Sequence, residues 1–265
     1  MIKEFYEKAL PSQGVYCATG IDPNGKGAVN KFAETLDELV ELIEKFKAKG
    51  VNTFAAMGTF EGFSRKADDC LYLKSFFIDL DVGPDKDYTS KDEAHAALSK
   101  LIEAAGLPDP VCINSGGGVH AYWIMDEDIP KDEWLIYAEK FKVLCLEHIA
   151  IDPVVTADAA RVMRCPDSYN YKFTPPERTS VLTDEIHVYS FKDFKEFIGE
   201  EAPISINSLM DMLPKGLDED TKKILKLDNF ETKFAKIADR SMEGDGCGQI
   251  KYAIENADSL TEPIW

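Results

Sequence analysis

The chain has 265 residues, 45% of them hydrophobic, enough for a substantial buried core and for one large domain or two modest ones. Its 48 acidic residues outnumber 30 basic ones for a formal net charge of −18, which excludes nucleic-acid affinity spread over the whole surface but not a local basic groove. No apolar run approaches the roughly 20 residues that span a bilayer, and the N-terminus lacks the apolar stretch of a signal peptide, so a cytoplasmic protein is expected.

In chain order, the first clear element is an amphipathic helix over residues 33–49, with Leu36, Leu39, Val40 and Ile43 on one stripe and Lys49-Gly50 as its stop signal. Residues 51–60 read as a strand, followed by a polar loop with Arg65 and Lys66 and then a strand over 75–82. Past a Gly-Pro-Asp loop at 83–85, Ser90 and Glu93 form the capping box of a helix that runs to about Ala105 and stops at Gly106 and Pro108. Residues 111–114 and 119–125 are strands, and the Ser115-Gly116-Gly117-Gly118 connection predicts that they pair as a hairpin. Pro130 suits the first turn of a helix reaching about His148. A short segment at 152–156, an irregular stretch over 157–176 and a strand around 185–189 follow.

This alternation predicts an α/β or α+β sheet with helices packed on it. Beyond residue 200 the pattern changes to short helices at 205–213, 219–226 and 249–257, with a glycine-rich joint at 244–248. The expected division is therefore a domain over 1–199 and a helical appendage over 200–265. Six scattered cysteines (Cys17, Cys70, Cys112, Cys145, Cys165 and Cys247) show no metal-binding or disulfide spacing and read as free thiols.

Asp79 and Asp81 stand two apart in a strand whose other residues are mostly apolar. Side chains on a strand alternate faces, so the two carboxylates share one face with Cα atoms roughly 6 to 7 Å apart. Unpaired charge there is costly, and a divalent ion with a taste for oxygen ligands, Mg²⁺ or Mn²⁺, is the usual partner. Two further clusters follow. One is Ser115-Gly-Gly-Gly-Val-His120-Ala-Tyr122-Trp123; the other is Ile151-Asp152 with the run Arg161-x-x-Arg164-x-Pro166-x-x-x-Asn170-x-Lys172.

In this order the three clusters resemble the archaeo-eukaryotic primase superfamily, specifically the primase-polymerases of phages and plasmids, over about residues 50–190. That family carries an Asp-x-Asp/Glu motif, a Ser/Gly-rich turn leading to a His, and a hydrophobic-Asp motif with arginines downstream. This chain departs from it at Asp167-Ser168, where family members commonly show Gly-Thr.

The resemblance implies an α+β fold: an RRM-like primase-polymerase catalytic core with an N-terminal α/β module and a small C-terminal helical appendage. It also implies a DNA-dependent nucleotidyltransferase that makes primers de novo on single-stranded DNA and extends them from nucleoside triphosphates by two-metal phosphoryl transfer. Carried over residue by residue, Asp79, Asp81 and Asp152 hold two Mg²⁺ or Mn²⁺ ions. His120 meets the nucleotide's phosphates with Ser115, Gly117 and Gly118, whose small size lets backbone amides approach. Arg161, Arg164 and Lys172 neutralise the triphosphate or template, and Asn170 orients one of them. Spacing alone leaves Asp158 open as the third ligand; Ile151 before Asp152 matches the family motif better.

Tyr122 and Trp123 read as core, and His95, His148 and His187 have no partner pattern. Tyr88 is the only guess for a contact that would select the sugar. A primer-extending repair-type polymerase is the nearest alternative function. A non-catalytic single-stranded-DNA-binding module is a more distant one, lacking the Lys/Arg-Gly-aromatic pattern. A rolling-circle nuclease would need a His-hydrophobic-His pair that does not occur. The C-terminal segment ending at Trp265 resembles the start of the helical region that follows the core in phage primases. The expectation is therefore a piece of a longer polypeptide, working with a fused or associated helicase, in the host cytoplasm if viral.

Overall fold

The apolar run around Asp79 and Asp81 forms a 12-residue strand, and the hairpin after it ends in one of 13 residues; the two pair antiparallel along most of their length. The computed structural model describes residues 2–25 and 27–199, which lie in the first of the chain's two units, Met1–Ser205. The elements are α1 (Ile2–Ala9), β1 (Tyr16–Ile21), β2 (Ala28–Ala33), α2 (Leu36–Ala48), β3 (Asn52–Ala56), β4 (Gly58–Phe60), β5 (Cys70–Asp81), α3 (Lys91–Ala105), β6 (Val111–Asn114) and β7 (Gly118–Pro130). They continue with α4 (Lys131–His148), α5 (Pro153–Thr156), β8 (Val162–Arg164), β9 (Tyr169–Asn170), β10 (Glu177–Arg178), β11 (Ser180–Val181) and α6 (Phe191–Ile198).

Among the described residues, two larger antiparallel sheets result, one ordered β11-β6-β7-β5-β4 and the other β2-β1-β3-β8, besides the two-stranded β10-β9 pair. The core of the five-stranded sheet is aromatic. Phe76 lies 4.9 Å from Phe194 and 5.7 Å from Trp134, ring centre to ring centre, so β5 is clamped against α4 and α6. Across the sheet Tyr122 meets Phe5 of α1 at 5.3 Å. Each such buried ring contributes roughly 1.5–3 kcal/mol, and together they fix the strand that carries the aspartates. All five cysteines among the described residues are buried and free.

Several predicted elements are redrawn. The single strand over 51–60 is two strands in different sheets: β3 pairs with β1 and β8, while β4 pairs with β5. The chain crosses at Met57-Gly58, where a Cβ on Gly58 would lie 2.7 Å from Cys70 Sγ and 2.9 Å from the Ala159 carbonyl, so only glycine fits the crossing. The stretch over 157–176 is not wholly irregular, because β8 completes the four-stranded sheet and β9 pairs with β10. The strand expected around 185–189 reduces to one bridge between Tyr189 and Met125. The predicted capping box at Ser90 is half formed. Ser90 accepts from the Glu93 amide, but the Glu93 carboxylate reaches past it to Thr89 N at 2.7 Å.

Elements α1, β1, β2 and α6 were not predicted. β2 is an edge strand whose first four residues are all exposed, so it lacks the alternation by which a half-buried strand is read. The helical appendage expected over 200–265 lies outside the described residues. Among the described residues no helix is long and apolar enough to cross a membrane.

Candidate active site

Strand register assembles the first half of the site. In the β5–β7 ladder Asp79 stands opposite His120 and Asp81 opposite Gly118, on the face that two residues earlier holds the buried Phe77–Tyr122 pair. Toward the end of β5 the apolar cover recedes, and the same face opens into a cleft of about 320 Å³. Asp152 arrives from a different segment: its amide donates to the Asp79 carbonyl at 3.3 Å, and its Oδ1 accepts from Val154 N at 3.0 Å, capping α5. Asp158 does not line the cleft; its Oδ1 accepts from Ala160 N at 2.9 Å within a local turn.

Asp79 is the anomaly of this wall. Its Oδ1 is buried and has no hydrogen-bond partner among the described residues. Burial foremost, and then the neighbouring Asp81, push its carboxyl up to about 7. An unsatisfied buried oxygen of this kind costs about 1–3 kcal/mol. His120 Nε2 is 3.7 Å from that oxygen, and His120 Nδ1 shares a 3.1 Å hydrogen bond with Tyr122 Oη. Burial, with Arg164 next in effect, holds the imidazole down to about 3, so it faces Asp79 as a neutral ring. Asp81 is turned outward onto Lys86, Nζ to Oδ2 at 2.6 Å.

The Ser115–Gly118 connection borders the same cleft through Ser115 and Gly117. Gly116 has φ +84°, a conformation that side chains disfavour, and a Cβ there would strike Asn170 Cβ at 2.6 Å. A Cβ on Gly118 would lie 2.2 Å from the Leu80 carbonyl oxygen, so Gly118 permits the close approach of β7 to β5 and does not line the cleft. The Ser115 and Gly116 amides are occupied, by the Gly118 carbonyl and by Asn114 Oδ1. Gly117 lines the cleft, its carbonyl accepts from Val82 N at 2.8 Å, and its own N–H makes no hydrogen bond among the described residues.

The cleft is also lined by cations. Arg164 at the end of β8 is buried, donates to Asn52 Oδ1 at 2.8 Å and to the Tyr169 carbonyl at 3.3 Å, and lies 4.5 Å over the Phe54 ring. No carboxylate pairs with it among the described residues. Burial lowers its pKa to about 10, which still leaves it charged at neutral pH. Arg161 Nη2 is 4.0 Å from Asp152 Oδ2. Lys172 lines the same wall, and Asn170 braces it by accepting from Lys172 N and donating to the Ser115 carbonyl.

Asp79, Asp81, Asp152, Ser115, Gly117, His120, Arg161, Arg164, Asn170 and Lys172 thus line one cleft. Tyr122 and Trp123 are core, although the Tyr122 hydroxyl sets the orientation of His120. Tyr88 is tied to the Ala150 carbonyl and lies outside the cleft, and Arg65 is engaged with the Ala160 carbonyl. Asn52, Phe54 and Lys86 were missed. Asn52 and Phe54 come from a strand about 110 residues before their partner, with no local signal; Lys86 stood in plain view between Asp85 and Asp87.

The donor set suits a hard divalent ion: carboxylates only, one with an orphaned oxygen. Among the described residues no three acidic, histidine or cysteine side chains yet converge closely enough to enclose one. The reason is local, since Asp81 is held by Lys86 and Asp152 by its own helix cap.

No protein-family model and no curated protein matches this sequence. Solved structures do. The primase-polymerase (archaeo-eukaryotic primase domain) of cyanophage S-2L superposes with TM-score 0.54 at 16% identity, covering 70% of this chain and 90% of that one. The catalytic domain of primase RepB′, solved with initiator DNA, gives 0.54 at 14%, covering 80% and 97%. A second RepB′ primase structure gives 0.53 at 12%, covering 98% and 88%. The mixed α+β fold with antiparallel sheets is that of an archaeo-eukaryotic primase catalytic core.

Proposed function

We propose that this chain, which has the fold of the archaeo-eukaryotic primase-polymerases, is a DNA-dependent nucleotidyltransferase that starts chains de novo on single-stranded DNA and extends them from nucleoside triphosphates. The observation that carries this reading is the presence in one cleft of Asp79, whose buried Oδ1 has no partner among the described residues, and Arg164, a buried cation with no carboxylate paired to it among them. Each wall lacks what a metal–triphosphate would bring.

Asp79, Asp81 and Asp152 are the residues that would hold two Mg²⁺ or Mn²⁺ ions. Bound there, such ions supply charge neutralisation at the triphosphate and activation of the attacking hydroxyl. Arg164 offers a fixed guanidinium to phosphate oxygens, positioned in advance by Asn52 and Phe54, so little ordering is needed on binding. The Gly117 N–H, Ser115 and neutral His120 complete the phosphate side, and Lys172 and Arg161 lie within the same wall. When the Tyr122 hydroxyl donates to Nδ1, the neutral His120 carries its proton on Nε2, which faces the space beside Asp79. No protein nucleophile is required; the residues bind and align a 3′ hydroxyl with the α-phosphate while pyrophosphate leaves.

The test is a primer-free assay on single-stranded templates with ribo- and deoxyribonucleoside triphosphates and Mg²⁺ or Mn²⁺. Short products carrying a 5′ triphosphate, lost in Asp79→Ala, are expected. Products made only when a primer is annealed would replace priming with repair-type extension. Template binding without any metal- and Asp79-dependent product would leave only a binding module.

A further inference from the structure

Lys86 stands on the acidic side of the cleft, where a cation would ordinarily weaken metal binding. Its Nζ lies 2.6 Å from Asp81 Oδ2, and its charge acts on Asp79 and Asp152 as well. The loop that bears it is anchored at both ends. Val82 bridges to Tyr88, Gly83 N donates to the Tyr88 carbonyl at 2.9 Å, and Lys86 N donates to the Gly83 carbonyl at 3.2 Å. Tyr88 Oη then donates to the Ala150 carbonyl at 2.6 Å, two residues before Asp152. The backbone of the loop is thereby fixed between the segments carrying Asp81 and Asp152, and the half-exposed Lys86 side chain is its adjustable part.

An ion pair this exposed is worth roughly 0.2–1 kcal/mol, too little to matter for the fold and weak enough to yield to a divalent ion. Once an ion sits on Asp81, the ammonium is repelled from it, and the nearest excess of negative charge is a triphosphate in the same cleft. We propose that Lys86 is the exchangeable counter-cation of the acidic wall. It holds Asp81 in the metal-free protein, then swings to the phosphate oxygens of the nucleoside triphosphate when ions take the carboxylates. This rests on the nucleotidyltransferase reading above.

The experiment uses the full chain with Lys86→Met and Lys86→Arg, and Asp79→Ala as control. Mn²⁺ binding is followed by the paramagnetic resonance signal of the free ion, without nucleotide. Binding of a fluorescent nucleoside triphosphate is followed in saturating Mn²⁺. Lys86→Met is expected to bind Mn²⁺ about three-fold more tightly, having lost the competitor. It should bind nucleotide about ten-fold more weakly, having lost a charge-assisted contact, with Lys86→Arg restoring most of that affinity. If Mn²⁺ affinity is unchanged or weaker in Lys86→Met, the counter-cation role falls; if nucleotide affinity is unchanged, the swing to phosphate falls. Either result leaves the enzyme reading standing provided wild type binds Mn²⁺ and Asp79→Ala does not. Should those two bind alike, the acidic wall is no metal site, and both proposals fall together.

Discussion

The two walls of the cleft solve the same problem, a charge taken out of water, in opposite ways. On the acidic wall Asp79 has no partner for its buried Oδ1, and burial moves its carboxyl up to about 7. On the basic wall Arg164 is buried yet keeps its charge, because Asn52, the Tyr169 carbonyl and the Phe54 face receive its guanidinium. The difference separates a prepared surface from an incomplete one. On the reading proposed above, the basic wall would meet an anion as it stands, whereas the acidic wall would be completed by a cation from outside.

The largest effect expected is on the incomplete wall. Asp79→Ala should lower nucleotide incorporation by on the order of 10³-fold or more, since the oxygens that would receive the ions are removed. Asp79→Asn should do the same while raising the melting temperature of the metal-free protein, because it deletes a carboxylate whose buried Oδ1 has no hydrogen-bond partner among the described residues. A lower melting temperature by calorimetry would mean that Asp79 is already satisfied.

On the prepared wall, Arg164→Ala should weaken nucleotide binding by roughly 10- to 100-fold, the worth of charge-assisted hydrogen bonds. Arg164→Lys should recover only part of this, as an ammonium cannot use the Asn52, Tyr169 and Phe54 cradle. Full recovery would show that charge alone suffices and that the wall is not prepared in the sense argued.

Smaller effects separate the two glycines between the walls. Gly118→Ala forces a methyl onto the Leu80 carbonyl and should cost about 1–3 kcal/mol in urea unfolding. Gly117→Ala meets its neighbours only at 3.4 Å and beyond, so stability should hold and nucleotide affinity should drop. The smallest change is expected of Asp158→Asn, which can still accept the Ala160 amide bond; incorporation should stay within about two-fold of wild type. A collapse of activity there would move the third carboxylate from Asp152 to Asp158.

Much of this site was legible because its parts are local in sequence. Period-two alternation put Asp79 and Asp81 on one face of one strand, and the glycine run after residue 114 announced the hairpin that brings His120 beside Asp79. The helix cap at Ser90 followed from side chain and backbone within three residues. The break at Met57-Gly58 was not legible, since a strand-like stretch says nothing about which of two sheets each half will join. Nor was edge strand β2, whose exposed residues leave no hydrophobic pattern.

By itself, then, the sequence determined the types of group in this protein and their local order: carboxylates two apart on a strand, a glycine turn before a histidine, arginines three apart. Only the tertiary structure decided the company each keeps. It orphaned Asp79 Oδ1, gave Arg164 to Asn52 and Phe54, drew Asp152 to the Asp79 backbone, and set Lys86 on Asp81. The physical reason is that partnership and desolvation depend on groups brought close by packing from segments as many as 112 residues apart, which no spacing along the chain encodes.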